Sequence, residues 1–326
     1  MASHDPVRQA KRVRRLAEEL ADEGLDLDPE ATPDGLVLSE IDRALHPPVH
    51  ERRVAGTGTI VEPVTDPGTW SPRTELEVNR GPVGEQPLEA LRRFADGLSS
   101  WLIRRVDGRD EWLVFDRPAG SERDLVVLAD VFGASIVQRH PSGAIRVVGR
   151  FGVLRWEGLE WHHEPPVASW IDAVGTCQAS HDRSEVVQAL LEFAVHDLGS
   201  RGIGATLVYR PGDGPEATIQ DRLPAPPPLS ILRPLSLAPL RHALAQVDGA
   251  AVFDRDGVLS QIGVRLVPSS RAERDVEGYR GMRHTSGVRY SYDDPAATVI
   301  VVSEDGPVSV LRNGRLVGRS PDVAEG

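Results

Sequence analysis

Val13, Leu16 and Leu20 recur at helical spacing within residues 9–25, with basic residues early, acidic residues late and Gly24 as a stop. That charge order opposes the helix dipole, so the segment reads as a solvated amphipathic helix, with docking to a partner as the alternative. Residues 26–87 mix short apolar runs with Pro, Gly, Asp and Glu, which predicts irregular or extended chain. From Leu88 the period becomes helical again: Leu88, Leu91, Phe94, Leu98, Trp101 and Leu102 fall on one face, predicting a core helix with Arg92, Arg93 and Arg104 outside it. Short apolar runs follow at 111–115, 125–128, 135–139, 144–148 and 153–156, divided by turn signals such as Pro141-Ser142-Gly143 and Glu157-Gly158. They predict strands, and with the helix they make a small α+β module over 85–170, preceded by the N-terminal helix and irregular region at 1–84. Trp156, Trp161, His162 and His163 read as packing and surface, since adjacent histidines on a strand face opposite ways and cannot chelate one metal together.

A second rhythm begins near Asp182, which has capping-box spacing to Glu185. Val186, Val187, Leu190, Leu191 and Ala194 then repeat at helical intervals. A buried-strand run, Ala205 to Tyr209, leads into a loop with Pro224, Pro226, Pro227 and Pro228. Ser236 is the expected cap of the next helix, with Leu237, Leu240 and Leu244 facing inward. Strand signals recur at 251–253, 263–267, 298–302 and 308–311. Helices alternating with hairpin-linked strands predict an α/β architecture, a mixed sheet flanked by helices, over 175–320.

Composition narrows the possibilities. The chain has 326 residues and a net charge of -12, which argues against a protein whose task is to hold duplex DNA. Cys177 is the only cysteine, so intrachain disulfides and cysteine zinc clusters are excluded and a structural thiol is expected. No run approaches the roughly 20 apolar residues needed to cross a bilayer, and the first residues lack an apolar signal core. A cytoplasmic, membrane-free protein is the expectation.

Chemistry concentrates in the last quarter: Asp248-Gly249-Ala250, then Gly281-Met282-Arg283-His284-Thr285, then Ser303-Glu304-Asp305-Gly306. Asp248 is a hard oxygen ligand suited to Mg²⁺ or Mn²⁺. Gly249 allows close backbone approach, and Arg283 and His284 offer cationic and hydrogen-bonding contacts to phosphate. Glu304 is a second acidic candidate for ribose, base or the metal's water shell. Each motif alone is ordinarily a turn or surface feature.

Their joint order and spacing resemble the diadenylate cyclase domain, related to the nucleotide-binding domain of the DNA integrity scanning family. That family's pattern is Asp-Gly-Ala, Gly-Thr-Arg-His-Arg and Ser-Glu-Glu. The resemblance extends upstream over Val186 to Tyr209 and downstream through Asn313-Gly314 and Leu316. It implies an enzyme that condenses two ATP into cyclic di-AMP across a face-to-face homodimer. Asp248, Arg283 and His284 would be catalytic, with Asp248 the metal ligand. Gly249, Ala250, Leu266, Thr285, Ser303 and Glu304 would contact the nucleotide, Leu266 through its backbone to adenine. It also implies that the N-terminal module senses a ligand of unknown kind. No helix-hairpin-helix tail follows, so DNA scanning is not expected.

Three departures bear on activity: Met282 stands for the family threonine, Thr285 for the second arginine, and Asp305 for the second glutamate. Losing one charge-assisted hydrogen bond costs about 1.5–3 kcal/mol unless neighbours such as Arg280 and Arg289 compensate. Val247 stands where some relatives carry His. A catalytically weakened nucleotide-binding sensor or scaffold is the competing reading.

Overall fold

The computed structural model describes residues 6–50, 53–74, 76–84, 87–169, 181–212, 219–220, 223, 225–279, 281–304 and 307–320. Cys177, Pro224, Arg280, Asp305 and Gly306 lie outside them, as does the side chain of Asp182 and with it the expected capping box. The chain divides into two compact units, residues 1–166 and 167–326.

The first unit is built on strands β1 (Val49–His50), β2 (Arg53–Val54), β3 (Thr57–Val61), β4 (Val78–Pro82), β5 (Ser100–Arg104), β6 (Glu111–Phe115), β7 (Ser135–Arg139), β8 (Ile145–Gly149), β9 (Gly152–Trp156) and β10 (Trp161–Glu164). Apart from the β1–β2 pair, they form one sheet in the order β10-β9-β8-β7-β3-β5-β6-β4. Only β3 and β5 run parallel; the other neighbours are antiparallel. Period-two alternation fills both faces. Ile60, Ile136 and Val148 pack with Trp70, Trp101, Leu125 and Phe132, while Val61, Val137 and Val147 pack on the other face with Leu16, Leu20, Leu38 and Ile41. The latter four come from the helices Pro6–Asp22 and Asp34–Leu45.

Three expectations for this unit need correction. Residues 26–87 are not an irregular prelude: they supply the helix Asp34–Leu45, the central strand β3 and the edge strand β4, so the module begins well before residue 85. The segment after Leu88 is not one helix but a short turn of helix, Leu88–Leu91, a 3₁₀ turn and then strand β5. Asp96 stops it, its Oδ1 accepting from the backbone N–H groups of Leu98, Ser99 and Ser100 at 2.7, 2.8 and 2.9 Å. Gly97 then turns the chain at φ +71, where a Cβ would stand 2.5 Å from the Thr57 carbonyl oxygen. Phe94 is consequently exposed and Trp101 is buried from a strand. Finally, Leu125 to Leu128 is helical, inside Glu122–Phe132. That helix is fixed by a capping box between Ser121 and Asp124 and ends at Gly133 in the left-handed region.

The second unit holds β11 (Ala205–Tyr209), β12 (Ile219–Gln220), β13 (Ala250–Phe253), β14 (Leu259–Leu266), β15 (Thr298–Val302), β16 (Val308–Arg312) and β17 (Arg315–Arg319), in the order β12-β14-β13-β11-β15-β16-β17. The sheet is mixed, as expected: β11 is parallel to β13 and antiparallel to β15. Leu207, Phe253 and Ile300 face the helices His181–Phe193 and Pro234–Leu244; Val208, Val252 and Val299 face the helix Met282–Asp293. The helix assigned a Ser236 cap starts earlier, at Pro234, whose missing N–H costs nothing at the first position. Ser236 instead lies inside it, its Oγ accepting from the Ser230 N–H at 3.3 Å. Among the described residues no helix is long and apolar enough to cross a membrane.

Candidate functional site

Strand register assembles one edge of the second sheet. Thr206 lies beside Ala250, Ala205 beside Val302, and Ala250 beside Val264. Continuing each pairing past the strand ends sets Gly204, Asp248, Leu266 and Ser303 level with one another, where β11 and β13 begin and β14 and β15 end.

Gly249 determines how Asp248 leaves this edge. Its φ is +100, and a Cβ there would meet the Gly263–Val264 backbone at 2.8–2.9 Å. A side chain is therefore excluded both by conformation and by contact. The opposing strand absorbs the close approach through a register shift between Ala250 and Val252 that includes Gly263, itself at φ +69. The outcome is an Asp248 carboxylate fully exposed to solvent at the mouth of the edge.

Arg283 comes from the opposite direction, on the first turn of the helix Met282–Asp293. Gly281 precedes that helix at φ +97 and supplies no side-chain cap, so the first amides of the helix remain open to an anion. The Arg283 guanidinium lies 3.0 Å from Glu304 Oε1 and 3.9 Å from Asp248 Oδ1. One cation from a helix start and two carboxylates from two strand ends thus converge.

Gly204 forms the floor beneath them and was not singled out from the sequence. A Cβ at this position would stand 2.5 Å from Arg283 Nη1 and 2.7 Å from Glu304 Cγ. Its signal was available: two glycines, Gly202 and Gly204, directly before a strand buried at every position.

The other expected residues sit differently. His284 turns from the cluster to the sheet, with Nε2 3.2 Å from Ser309 Oγ. Burial pushes its pKa down, and Arg319 adds to the effect, so the ring is neutral at pH 7. Thr285 donates its hydroxyl to the Tyr279 carbonyl at 2.8 Å and braces the preceding loop. Arg289 Nε donates to the Val276 carbonyl at 3.3 Å, and Met282 is almost wholly exposed. Ala250 and Leu266 bury their side chains in the core, leaving only backbone for a ligand, and the Leu266 backbone is paired in register with Ile219. Ser303 is half-buried beside Glu304.

Among the described residues no group of three or more His, Cys, Asp or Glu could hold a metal ion. Asp248 suits a hard divalent cation that brings most of its remaining oxygens from a substrate's phosphates.

Residues 14–164 match the family model described as probable sensor domain DACNK, and residues 192–316 match the DAC model, described as DisA bacterial checkpoint controller nucleotide-binding. Gly204, Asp248, Arg283 and Glu304 all fall in the second match. No curated protein matches the chain. A solved structure, the hypothetical membrane spanning protein from Bacillus cereus, is 20% identical over 44% of this chain and 72% of that one, with a TM-score of 0.31 too low to bear on the fold. The two matches divide the chain into a DACNK-type module followed by a DAC nucleotide-binding domain.

Proposed function

We propose that the DAC domain condenses two ATP molecules into cyclic di-AMP with release of two pyrophosphates. The observation that carries this reading is the approach of Arg283 to Asp248 and Glu304 beside an uncapped helix start. Such a place offers positive charge and open N–H donors to a triphosphate, and carboxylates to a metal or a sugar hydroxyl.

In each half-reaction a ribose hydroxyl of one ATP attacks the α-phosphorus of the other. A new P–O bond forms, the bond to pyrophosphate breaks, and the hydroxyl proton is released. The protein's share is positioning and charge neutralisation. Arg283 and the first-turn amides would hold phosphate oxygens, while Gly204 lets Arg283 and Glu304 close in and Gly249 lets the β13 and β14 backbones meet beside Asp248. Asp248 would hold Mg²⁺ or Mn²⁺, which supplies Lewis-acid stabilisation of the phosphates. The cluster is open on its outer side, with Asp248 fully exposed, so a second copy of the chain would supply the other ATP face to face.

The alternative, a nucleotide-binding sensor with weakened turnover, is favoured by two of the three motif departures, Met282 and Thr285. Met282 has no hydroxyl to offer phosphate, and the Thr285 hydroxyl is already engaged by the Tyr279 carbonyl. Mass spectrometry of the products from ATP with Mg²⁺ or Mn²⁺ separates the readings. Cyclic di-AMP formed by the native chain and absent with Asp248→Asn supports the cyclase. ATP binding without product supports the sensor, and neither binding nor product removes both.

A further inference from the structure

The first unit contains an open cleft of about 670 Å³, at the end of β4 and beside the turn joining β5 to β6. Nothing in the nucleotide chemistry uses it. Among the described residues its charged lining is Asp66, Arg80, Arg105, Arg109, Asp110 and Glu111, cations and carboxylates in equal number. The signs interleave rather than segregate: Glu111 lies 3.1 Å from Arg105 and 3.5 Å from Arg80, and Arg80 lies 3.4 Å from Asp66.

Part of this lining is anchored. Asp110 Oδ1 accepts from the Arg105 N–H at 2.9 Å, and Asp110 Oδ2 is 3.0 Å from Arg104 Nε. Arg104 in turn donates to the buried Glu40 at 2.6 Å. Arg80 is the exception. Its contacts of 3.4 and 3.5 Å exceed the ~2.7–2.9 Å of a well-made charge-assisted bond, so its guanidinium can donate to a better-placed carboxylate. Gly84 and Gly108 at the rim have positive φ and open space where a Cβ would stand, leaving backbone accessible beside the charges.

We propose that this cleft binds a small zwitterion of the α-amino-acid kind, with its carboxylate on Arg80 and its ammonium on Glu111 and Asp66. A multiply charged anion would meet the carboxylates and a polyamine the guanidiniums. A ligand carrying both signs a few ångströms apart gives each wall a partner. This proposal is independent of the cyclase reading.

Isothermal titration of the full chain against each standard amino acid tests it, with inorganic phosphate and spermidine as single-sign probes. At least one amino acid should bind while phosphate and spermidine do not. Arg80→Gln and Glu111→Gln should each weaken that binding by about tenfold or more. Asp248→Asn should leave it unchanged. Arg80 is on an edge strand and partly exposed, so its variant tests binding without threatening the fold. The proposal fails if no amino acid binds, if binding survives both cleft substitutions, or if Asp248→Asn removes it. It fails equally if phosphate binds in an Arg80-dependent manner, which would make the cleft an anion site.

Discussion

In the first unit arginines and carboxylates are matched inside the protein, whereas in the second the cluster at the sheet edge stands in solvent with two carboxylates to one guanidinium. Glu122 is buried, and its oxygens accept from Arg155 in a two-pronged pair at 2.6 and 2.7 Å. Glu40 is likewise buried, accepting from Arg104 at 2.6 Å, from Arg92, and from the Thr59 hydroxyl at 3.1 Å. Arg283, by comparison, is 40% exposed, Glu304 61% and Asp248 entirely so. The contrast separates two uses of charge. A buried, hydrogen-bonded pair fixes how strands and helices meet, and it is closed off from a ligand. An exposed, unbalanced cluster adds little to stability and keeps its bonding capacity for something that arrives.

The widest separation between the two uses comes from removing one acid in each. If the domain turns over ATP as proposed, Asp248→Asn should reduce cyclic di-AMP formation below detection while leaving the urea unfolding curve where it is, because the side chain is fully exposed. Glu122→Ala should do the reverse in kind. It takes from Arg155 its two-pronged partner, leaving Glu164 at 3.9 Å, and should lower the stability of the first unit by about 3 kcal/mol, read as a shift in its unfolding midpoint. Equal destabilisation by both substitutions would erase the distinction.

Glu164 sharpens the comparison through pH. Its carboxyl is pushed up to about 7, chiefly by burial; Arg155 opposes the rise and Glu122 adds to it. One of its oxygens, Oε1, is buried without a hydrogen-bond partner. In the folded unit this group therefore holds a proton that the unfolded chain releases near 4.5. Folding binds the proton more tightly, so the contribution is complete below pH 4.5 and is lost as pH rises through about 7. The expected loss is on the order of 3 kcal/mol at most. Unfolding curves of the native chain and Glu164→Gln between pH 4 and 8 check the sign. The native first unit should weaken toward pH 8 more steeply than the variant, and parallel curves would refute the assignment.

Much of this was legible in the order of residues where one interaction dominates. Buried strands with β-branched runs, such as Ser135–Arg139, Ala205–Tyr209 and Thr298–Val302, announce themselves because both sheet faces are covered. Leu125-Val126-Val127-Leu128 carries the same signal and is helical, because the Ser121–Asp124 cap outweighs local propensity. The stretch after Leu88 failed for the opposite reason: its helical period was genuine, and Asp96 with Gly97 overrode it through three backbone hydrogen bonds and a left-handed turn. At the site, Asp248, Arg283 and Glu304 were picked out through the family resemblance, and the fold brings their side chains together. The direction of His284 did not, since neighbours on a helix diverge by about 100° and only the assembled sheet decides which one faces Ser309.

Gly204 offers the smallest and most local test, because its role is to be empty. It carries no chemistry and makes no cap, yet an added methyl carbon would lie 2.5 Å from Arg283 Nη1 and 2.7 Å from Glu304 Cγ. Arg283 Nη1 is the far end of a flexible side chain and Glu304 Cγ the stem of an exposed one, so both can move aside by rotation of their side chains. Gly204→Ala should therefore leave the unfolding midpoint within experimental error and lengthen the Arg283–Glu304 approach. If the cluster binds phosphate, ATP affinity should fall by about tenfold, roughly 1.4 kcal/mol. Titration with a non-hydrolysable ATP analogue reads this directly. Unchanged affinity would mean that Arg283 and Glu304 act independently of their spacing, and the cluster would then lose its standing as a preorganised site. A large loss of stability would show instead that the contact belongs to the fold, as the pairs inside the first unit do.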